Sequence, residues 1–157
     1  MAKVNPIPEG YPRIIPYLAI DGATKALDWY TDVLGGTERM RMDGPGGTIG
    51  HAEVTFGDSV VMLADQYDEI GHVSPKKLSG TPVTICIYVE SIDDLHKRAL
   101  EAGAKEIQPL EDKFYGDRSS AIEDPFGHKW NLMMHIEDVP PDEMEKRAAQ
   151  YTAEGGG

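Results

Sequence analysis

The order of the predicted elements repeats within the chain. The first half gives a strand at Arg13–Ile20, a helix at Ala23–Leu34 and then three strands, and the same order starts again at Thr81. Two of the strands in the first half meet at Gly57 and Asp58, a pair that is typical of a tight hairpin. Because the halves are offset by about 70 residues, we predict two copies of one strand, helix and three-strand unit.

The second copy carries its own turn signal, and two less regular segments lie outside the repeat. In the second half, Pro125 and Gly127 of DPFG occupy the positions that suit a type I turn between two strands. The polar segment Gln66–Gly80 links the copies and is predicted to be a mobile flap. The tail has helix-forming residues at Asp142–Tyr151 and ends in glycines, for which we predict disorder.

Composition and charge restrict the class of protein. The chain has 157 residues, 40% of them hydrophobic, which is enough for one compact domain with a core. Its net charge of -12 would repel a phosphate backbone and an anionic bilayer, so we expect neither a nucleic acid nor a membrane as partner. The lone Cys86 cannot form an internal disulfide, and the chain shows neither a signal-peptide pattern nor a run of about 20 apolar residues. We therefore expect a soluble, cytoplasmic protein.

Three stretches together resemble the vicinal oxygen chelate superfamily, the glyoxalase and bleomycin-resistance fold, and within it the PhnB-like branch. They are PYLAIDGATKALDWYTDVLGG, HAEVTFGDSVVMLAD and GDRSSAIEDPFGHKWNLMMHIED. The resemblance covers residues 12–138 and implies an α+β fold of two βαβββ modules, about 12–66 and 80–138, with a separate tail at 139–157. It also implies that each module curls its mixed sheet into half of a cup, with helices outside, and that the chain forms a homodimer.

The same resemblance indicates where a metal cofactor would be bound. Metal-dependent members carry ligands on the first and last strands of each module, and here these positions fall on four residues: Ile15, Met62, Thr84 and Asn131. None of the four has the imidazole or carboxylate that zinc, nickel or iron needs, which implies that no metal cofactor is bound. The alternative is a divalent metal in a non-standard site formed by His51, Glu53 and His135.

The candidate ligand-binding residues come from strand alternation and from the stretch EDKFYGDR. Alternation puts His51 and Glu53 on one face of a strand that should be concave, and Phe114, Tyr115 and Arg118 add two flat rings and a fork for carboxylate or phosphate. Alternatively, Asp117 and Arg118 only pin a loop. The predicted set is Tyr17, His51, Glu53, Met62, Tyr88, Phe114, Tyr115, Arg118, Asn131 and His135. Two other histidines, His72 and His96, are expected to face solvent.

Three functions remain open from the sequence. The favoured hypothesis is a metal-free homodimer that sequesters a small organic molecule, partly aromatic or anionic, such as an antibiotic or a metabolite, in an apolar and aromatic cup. The second is a metal-dependent lyase, isomerase or dioxygenase that uses the non-standard site. The third is a structural or regulatory dimer without a ligand, which would have a filled cup.

Overall fold

The computed structural model describes residues 4–156 and divides the chain into two compact units, with the break between Thr81 and Pro82. Each unit contains a four-stranded mixed sheet with a helix packed on it, so the predicted α+β fold is confirmed. Residues 1–3, where the segment without a signal-peptide pattern starts, and Gly157, the last of the terminal glycines, lie outside the described residues.

The first sheet has the strand order β1-β4-β3-β2, with β1 parallel to β4 and the other neighbours antiparallel. Its strands are β1 (Tyr17–Ile20), β2 (Thr37–Asp43), β3 (Ile49–Phe56) and β4 (Ser59–Asp65). Strand β1 is shorter than the predicted Arg13–Ile20 because Pro16, which has no N–H for the ladder, immediately precedes it. The Gly57–Asp58 hairpin is confirmed by the pairing of Phe56 with Ser59.

Helix α1 (Ala23–Asp32) covers one face of the first sheet. Ala52, Val54 and Leu63 are fully buried on that face, and alternation turns their strand neighbours to the opposite side. The helix has no cap from its own N-terminal residue, so the Asp65 carboxylate accepts hydrogen bonds from the Gly22 and Ala23 amides at 3.1 Å. This contact fixes the start of α1 at the end of β4.

The connecting segment predicted as a flap has secondary structure of its own. A 3₁₀ turn at Asp68–Ile70 is followed by the short helix α2 (Pro75–Leu78), and Tyr67 pairs with His72 as an isolated bridge. The fully buried Ser74 donates its hydroxyl to the Gln66 side chain at 2.7 Å. The segment therefore has side-chain as well as backbone bonds of its own, and the Gln66 amide links it to β1 by donating to the Ile20 carbonyl at 2.8 Å.

The second sheet repeats the topology in the order β5-β8-β7-β6, with α3 (Ile92–Glu101) packed on one face. Its strands are β5 (Thr84–Tyr88), β6 (Lys105–Asp112), β7 (Asp117–Glu123) and β8 (Lys129–His135). Ile122, Trp130 and Leu132 form the buried layer beneath α3. The predicted DPFG turn is present, because the Gly127 amide donates to the Asp124 carbonyl at 3.0 Å.

The tail forms α4 (Pro141–Ala153), slightly longer than the predicted helix. Its residues are exposed or half-buried, and Arg147 on this helix bonds the Glu137 carboxylate through both terminal nitrogens at 2.8 Å. Within the described part of the chain, no helix combines the length and the apolar composition that crossing a membrane requires.

Candidate functional site

The face of the first sheet opposite α1, called the first front face, brings together four of the predicted site residues. Tyr17 pairs with Met62 across β1 and β4, and Met62 pairs with Glu53 across β4 and β3. His51 lies one step along β3 on the same side, because residues two apart share a face. The sequence-based grouping of these side chains on one face therefore matches their positions in the sheet.

Three of these residues form a hydrogen-bonded chain. The Tyr17 hydroxyl lies 3.0 Å from Nδ1 of His51, and Nε2 of His51 lies 3.2 Å from Oε1 of Glu53. The chain runs from an accessible end to a buried one, since Tyr17 is 49% exposed and Glu53 only 2%. Burial raises the pKa of the Tyr17 phenol, so the hydroxyl keeps its proton at neutral pH.

Two residues outside the predicted set complete the environment of Glu53. The Tyr11 hydroxyl donates to both carboxylate oxygens, at 3.0 and 3.2 Å, and this bond raises the pKa of Tyr11. The Arg39 guanidinium lies 3.7 Å from Glu53 and 4.1 Å from the centre of the Tyr11 ring, a cation–π distance. The buried carboxylate therefore has both a positive charge and hydroxyl donors beside it.

Sequence reasoning missed Arg39 and Tyr11 for different physical reasons. Arg39 is the extra residue of a β-bulge, because Glu38 pairs with Val54 and Met40 with Glu53. A bulge breaks the alternation from which faces are assigned, and no sequence signal marks this one. Tyr11 lies before β1, outside any periodic pattern.

The two histidines expected to face solvent do not do so. His72 is half-buried, and its ring centre lies 4.9 Å from that of Tyr17. His96 is 7% exposed and bonds Glu106 at 2.8 Å, because it shares the inward face of α3 with Ile92, Leu95 and Ala99. The i, i+3, i+4, i+7 spacing of these four residues was a usable signal for burial.

The second front face, on the side of the second sheet opposite α3, holds Tyr88, Asn131 and His135. Cys86 pairs with Asn131 and Tyr88 with Met133, so these side chains form two successive rows. Tyr88 is 62% exposed, and Cys86 is also exposed. This face is more open than the first and has a thiol and an amide where the first has Tyr17 and Met62.

A second polar cluster lies where β7 begins and β8 ends. Tyr88 donates its hydroxyl to the buried Asp117 at 2.8 Å, which raises the pKa of Tyr88. The His135 ring bonds Asp117 through Nδ1 and Asp138 through Nε2, both at 2.9 Å. These two carboxylates raise the pKa of His135 and favour the imidazolium, in which both ring nitrogens donate.

Arg118 lies on the other face of β7. Residues 117 and 119 point to the front, so alternation turns Arg118 toward α3, where its guanidinium forms a bidentate bond with Asp93 at 2.7 and 3.0 Å. It also bonds Asp112 at 2.7 Å, and it lowers the pKa of Asp93. These contacts join β7 to α3 and to the end of β6.

The aromatic pair before β7 packs against the tail. The Phe114 ring lies 5.1 Å from Tyr151 on α4 and 5.4 Å from Tyr115, and its carbonyl accepts a bond from Arg147. The next residue, Gly116, has φ 97°, and a Cβ there would collide with the Glu137 carbonyl oxygen. The stretch therefore joins β7 to the segment that leads into the tail.

The side chains considered for a metal ion make other contacts. Met62 and Asn131, at two of the positions that the resemblance assigns to ligands, present a thioether and an amide. His51 and Glu53 bond each other in the first unit, while His135 lies in the second with both ring nitrogens bonded to carboxylates. Among the described residues, no group of three or more His, Cys, Asp or Glu side chains is arranged to hold a metal ion.

Comparison with known proteins identifies one family and a full-length relative. The sequence model of the Glyoxalase/Bleomycin resistance protein/Dioxygenase superfamily matches residues 14–132. An uncharacterized protein of Mycobacterium bovis is 36% identical over 149 residues, which cover 93% of this chain and 96% of the relative. The likeness therefore extends past the repeated units and into the tail.

Solved structures share the fold. TioX from Micromonospora sp. ML1 superposes with a TM-score of 0.63 at 27% identity, over 80% of this chain and 99% of TioX. A PhnB protein from Bacillus cereus gives a TM-score of 0.60 at 19% identity, over 78% and 99% of the two chains. TnmS3 from Streptomyces sp. CB03234, described as an antibiotic binding protein, gives 0.57 at 17% identity, over 80% and 99%.

Proposed function

The chain belongs to the glyoxalase/bleomycin resistance protein/dioxygenase superfamily, and from this premise we propose that it binds a small organic molecule without a metal ion. The site is the first front face. The observation that carries the proposal is the hydrogen-bonded chain from the accessible Tyr17 through His51 to the buried Glu53. A buried carboxylate with a complete set of partners keeps the side chains in front of it in one arrangement.

The surroundings of this chain suit an organic ligand. Met62 lies beside Tyr17 and Glu53, and the β2 residues Met40 and Met42 pair with Glu53 and His51 on the same face. Met42 is 57% exposed. Thioethers and aromatic rings around a few fixed polar groups are the usual lining of small-molecule sites, and methionine adapts its shape to flat ligands.

We propose sequestration rather than turnover, because the polar groups of this face are bonded to one another. Both oxygens of Glu53 accept bonds from Tyr11, and both nitrogens of His51 have partners within 3.2 Å. The fold-level likeness to TnmS3, described as an antibiotic binding protein, is compatible with this class of function. The homodimer implied by the family is part of the proposal, and light scattering would show it as a mass of twice the 17.2 kDa chain.

The test is a ligand screen on chelator-treated protein. We would record fluorine NMR spectra of a library of fluorinated aromatic fragments with the wild type, His51→Ala and Tyr67→Phe. Tyr67 is the control because its hydroxyl bonds Glu69 in the connecting segment. We expect binders of the wild type that are lost in His51→Ala, retained in Tyr67→Phe and unaffected by added zinc.

Two results would contradict the proposal. Fragments that bind only after a metal is added would show that the site needs a metal. Binding that is equal in the wild type and in a folded His51→Ala protein would place the ligand elsewhere on the chain.

A further inference from the structure

The direction of each hydrogen bond behind Tyr17 is fixed by the buried Glu53. An ionised carboxylate can only accept, so the Tyr11 hydroxyl and the His51 Nε2 that face it must donate. Arg39, at 3.7 Å, already balances the carboxylate charge, so His51 is not required as a second cation. The neutral ring with its proton on Nε2 satisfies Glu53.

The state of His51 then determines the state of Tyr17. A neutral imidazole that carries its proton on Nε2 can only accept at Nδ1. The Tyr17 hydroxyl, 3.0 Å from Nδ1, must therefore donate its single proton to the ring. Because the same hydroxyl has a raised pKa, the proton stays on the phenol and the bond keeps this direction.

The phenolic oxygen of Tyr17 can still accept a hydrogen bond on its outward side. A phenolic oxygen that donates its proton still has lone pairs, and Tyr17 is about half exposed at the end of the chain. The nearby Thr55, two residues after Glu53 on the same side of β3, donates its hydroxyl to the Thr37 carbonyl at 3.4 Å. The hydroxyl protons of Tyr11, Tyr17 and Thr55 are thus all committed within the protein.

We propose that the first front face selects a neutral aromatic ligand that carries a hydroxyl and donates it to the Tyr17 phenolic oxygen. This inference rests on the proposed function and narrows it to one ligand class. An anionic ligand is disfavoured, because its oxygens can only accept and would face the acceptor oxygen of Tyr17. An ether of the same shape would leave the Tyr17 oxygen without a donor, which costs binding when water is excluded.

The probes for this inference are three fluorinated benzenes of similar size: 4-fluorophenol, 4-fluoroanisole and 4-fluorobenzoate. At about pH 8 the phenol is un-ionised, the anisole has no donor and the benzoate is an anion. Fluorine NMR titration gives the affinity of each for the wild type, Tyr17→Phe and Tyr67→Phe. We expect the wild type to bind the phenol about tenfold more tightly than the anisole, with the benzoate weakest.

The variants distinguish binding at Tyr17 from general binding of aromatic molecules elsewhere on the protein. In Tyr17→Phe the phenol-to-anisole ratio should fall to about one, while the control Tyr67→Phe keeps the wild-type ratio. Equal affinities of the wild type for phenol and anisole would overturn this inference and leave the proposed function standing. A wild type that binds none of the three probes would overturn both.

A second measurement needs no variant and holds even if Tyr17→Phe does not fold. Nitrogen-15 NMR of wild-type protein labelled at histidine reports which ring nitrogen of His51 carries the proton. The inference requires the proton on Nε2 alone at the pH of the titration. A proton on Nδ1 would make Tyr17 an acceptor from the ring and free its hydroxyl to donate, and it would overturn the inference whatever the affinities.

Discussion

The two sheets have the same strand order, but the polar groups on their front faces are arranged in opposite ways. On each, an accessible tyrosine is bonded to a histidine and carboxylate cluster, but Tyr17 contacts a ring backed by a buried carboxylate, whereas Tyr88 contacts the carboxylate directly. On the first face the charge lies deep in the sheet and is balanced by Arg39. On the second, His135, whose imidazolium form the carboxylates favour, joins the end of β8 to the exposed Asp138.

The difference arises from a small displacement along the strand. Tyr17 precedes the start of α1 by six residues and Tyr88 precedes the start of α3 by four. A displacement of two residues keeps the side chain on the same face and moves it toward the end of the sheet. The repeated topology therefore determines which face of each sheet is free of a helix. The position of the tyrosine along its strand determines whether it contacts polar groups buried in the sheet or at its edge.

The largest effect that we expect concerns the glycine that secures the second cluster. Gly116→Ala should lower the free energy of unfolding by at least about 3 kcal/mol, because it combines a positive φ with a collision against the Glu137 carbonyl. Gly35→Ala in the first unit is the matched control. Gly35 has φ 79° with no atom within 4 Å of a new Cβ, so its loss should be about 1 kcal/mol.

Urea unfolding followed by circular dichroism measures both variants. Similar losses in the two variants would mean that the contact between Gly116 and Glu137 does not constrain the second unit. The ligand affinity of the first front face should be unchanged in a folded Gly116→Ala protein.

The next largest effect is expected from the carboxylates, and it differs between the two clusters. Glu53→Ala should lower the free energy of unfolding by about 3 kcal/mol, because it leaves Tyr11, His51 and Arg39 without the buried acceptor that they share. Asp138→Ala should produce no measurable change, since Asp138 is fully exposed and water replaces it. Equal losses in a urea titration would contradict the assignment of a buried and an edge cluster.

The smallest effect is the pH dependence of the second cluster. The carboxylates of Asp117 and Asp138 raise the pKa of His135 above its ordinary value of 6.5 in the folded state only. The resulting stabilisation is fully present below 6.5 and is lost as the pH rises through the higher folded-state pKa. The Tm difference between wild type and His135→Gln should therefore shrink as the pH rises from about 5 to 9.

A constant Tm difference over that range would show that His135 contributes packing and not charge.

Much of the fold and part of the candidate site follow from the sequence. Strand alternation and the repeat are backbone properties, so they predict the two sheets and place His51 with Glu53. For Arg118 the sequence left two roles open, a ligand contact or, with Asp117, the pinning of a loop. The contacts with Asp93 and Asp112 come from α3 and β6, which a linear pattern does not bring near β7.

The rest of the site depends on irregular features. Tyr11 reaches Glu53 from a segment without secondary structure, and the burial of His72 comes from a loop that folds back on Tyr17. Neither position has a periodicity from which contacts could be inferred. Polar residues that neutralise a buried charge are thus the part of a site that sequence patterns recover least well.

The bulge at Arg39 makes the electrostatics of the first front face sensitive to a one-residue insertion or deletion. A strand without the extra residue would restore regular pairing between β2 and β3, and the guanidinium would no longer be directed at Glu53. The carboxylate would then be balanced only by a bound cation or by a protonated His51. A one-codon insertion or deletion in β2 would in this way change the charge that the first front face presents.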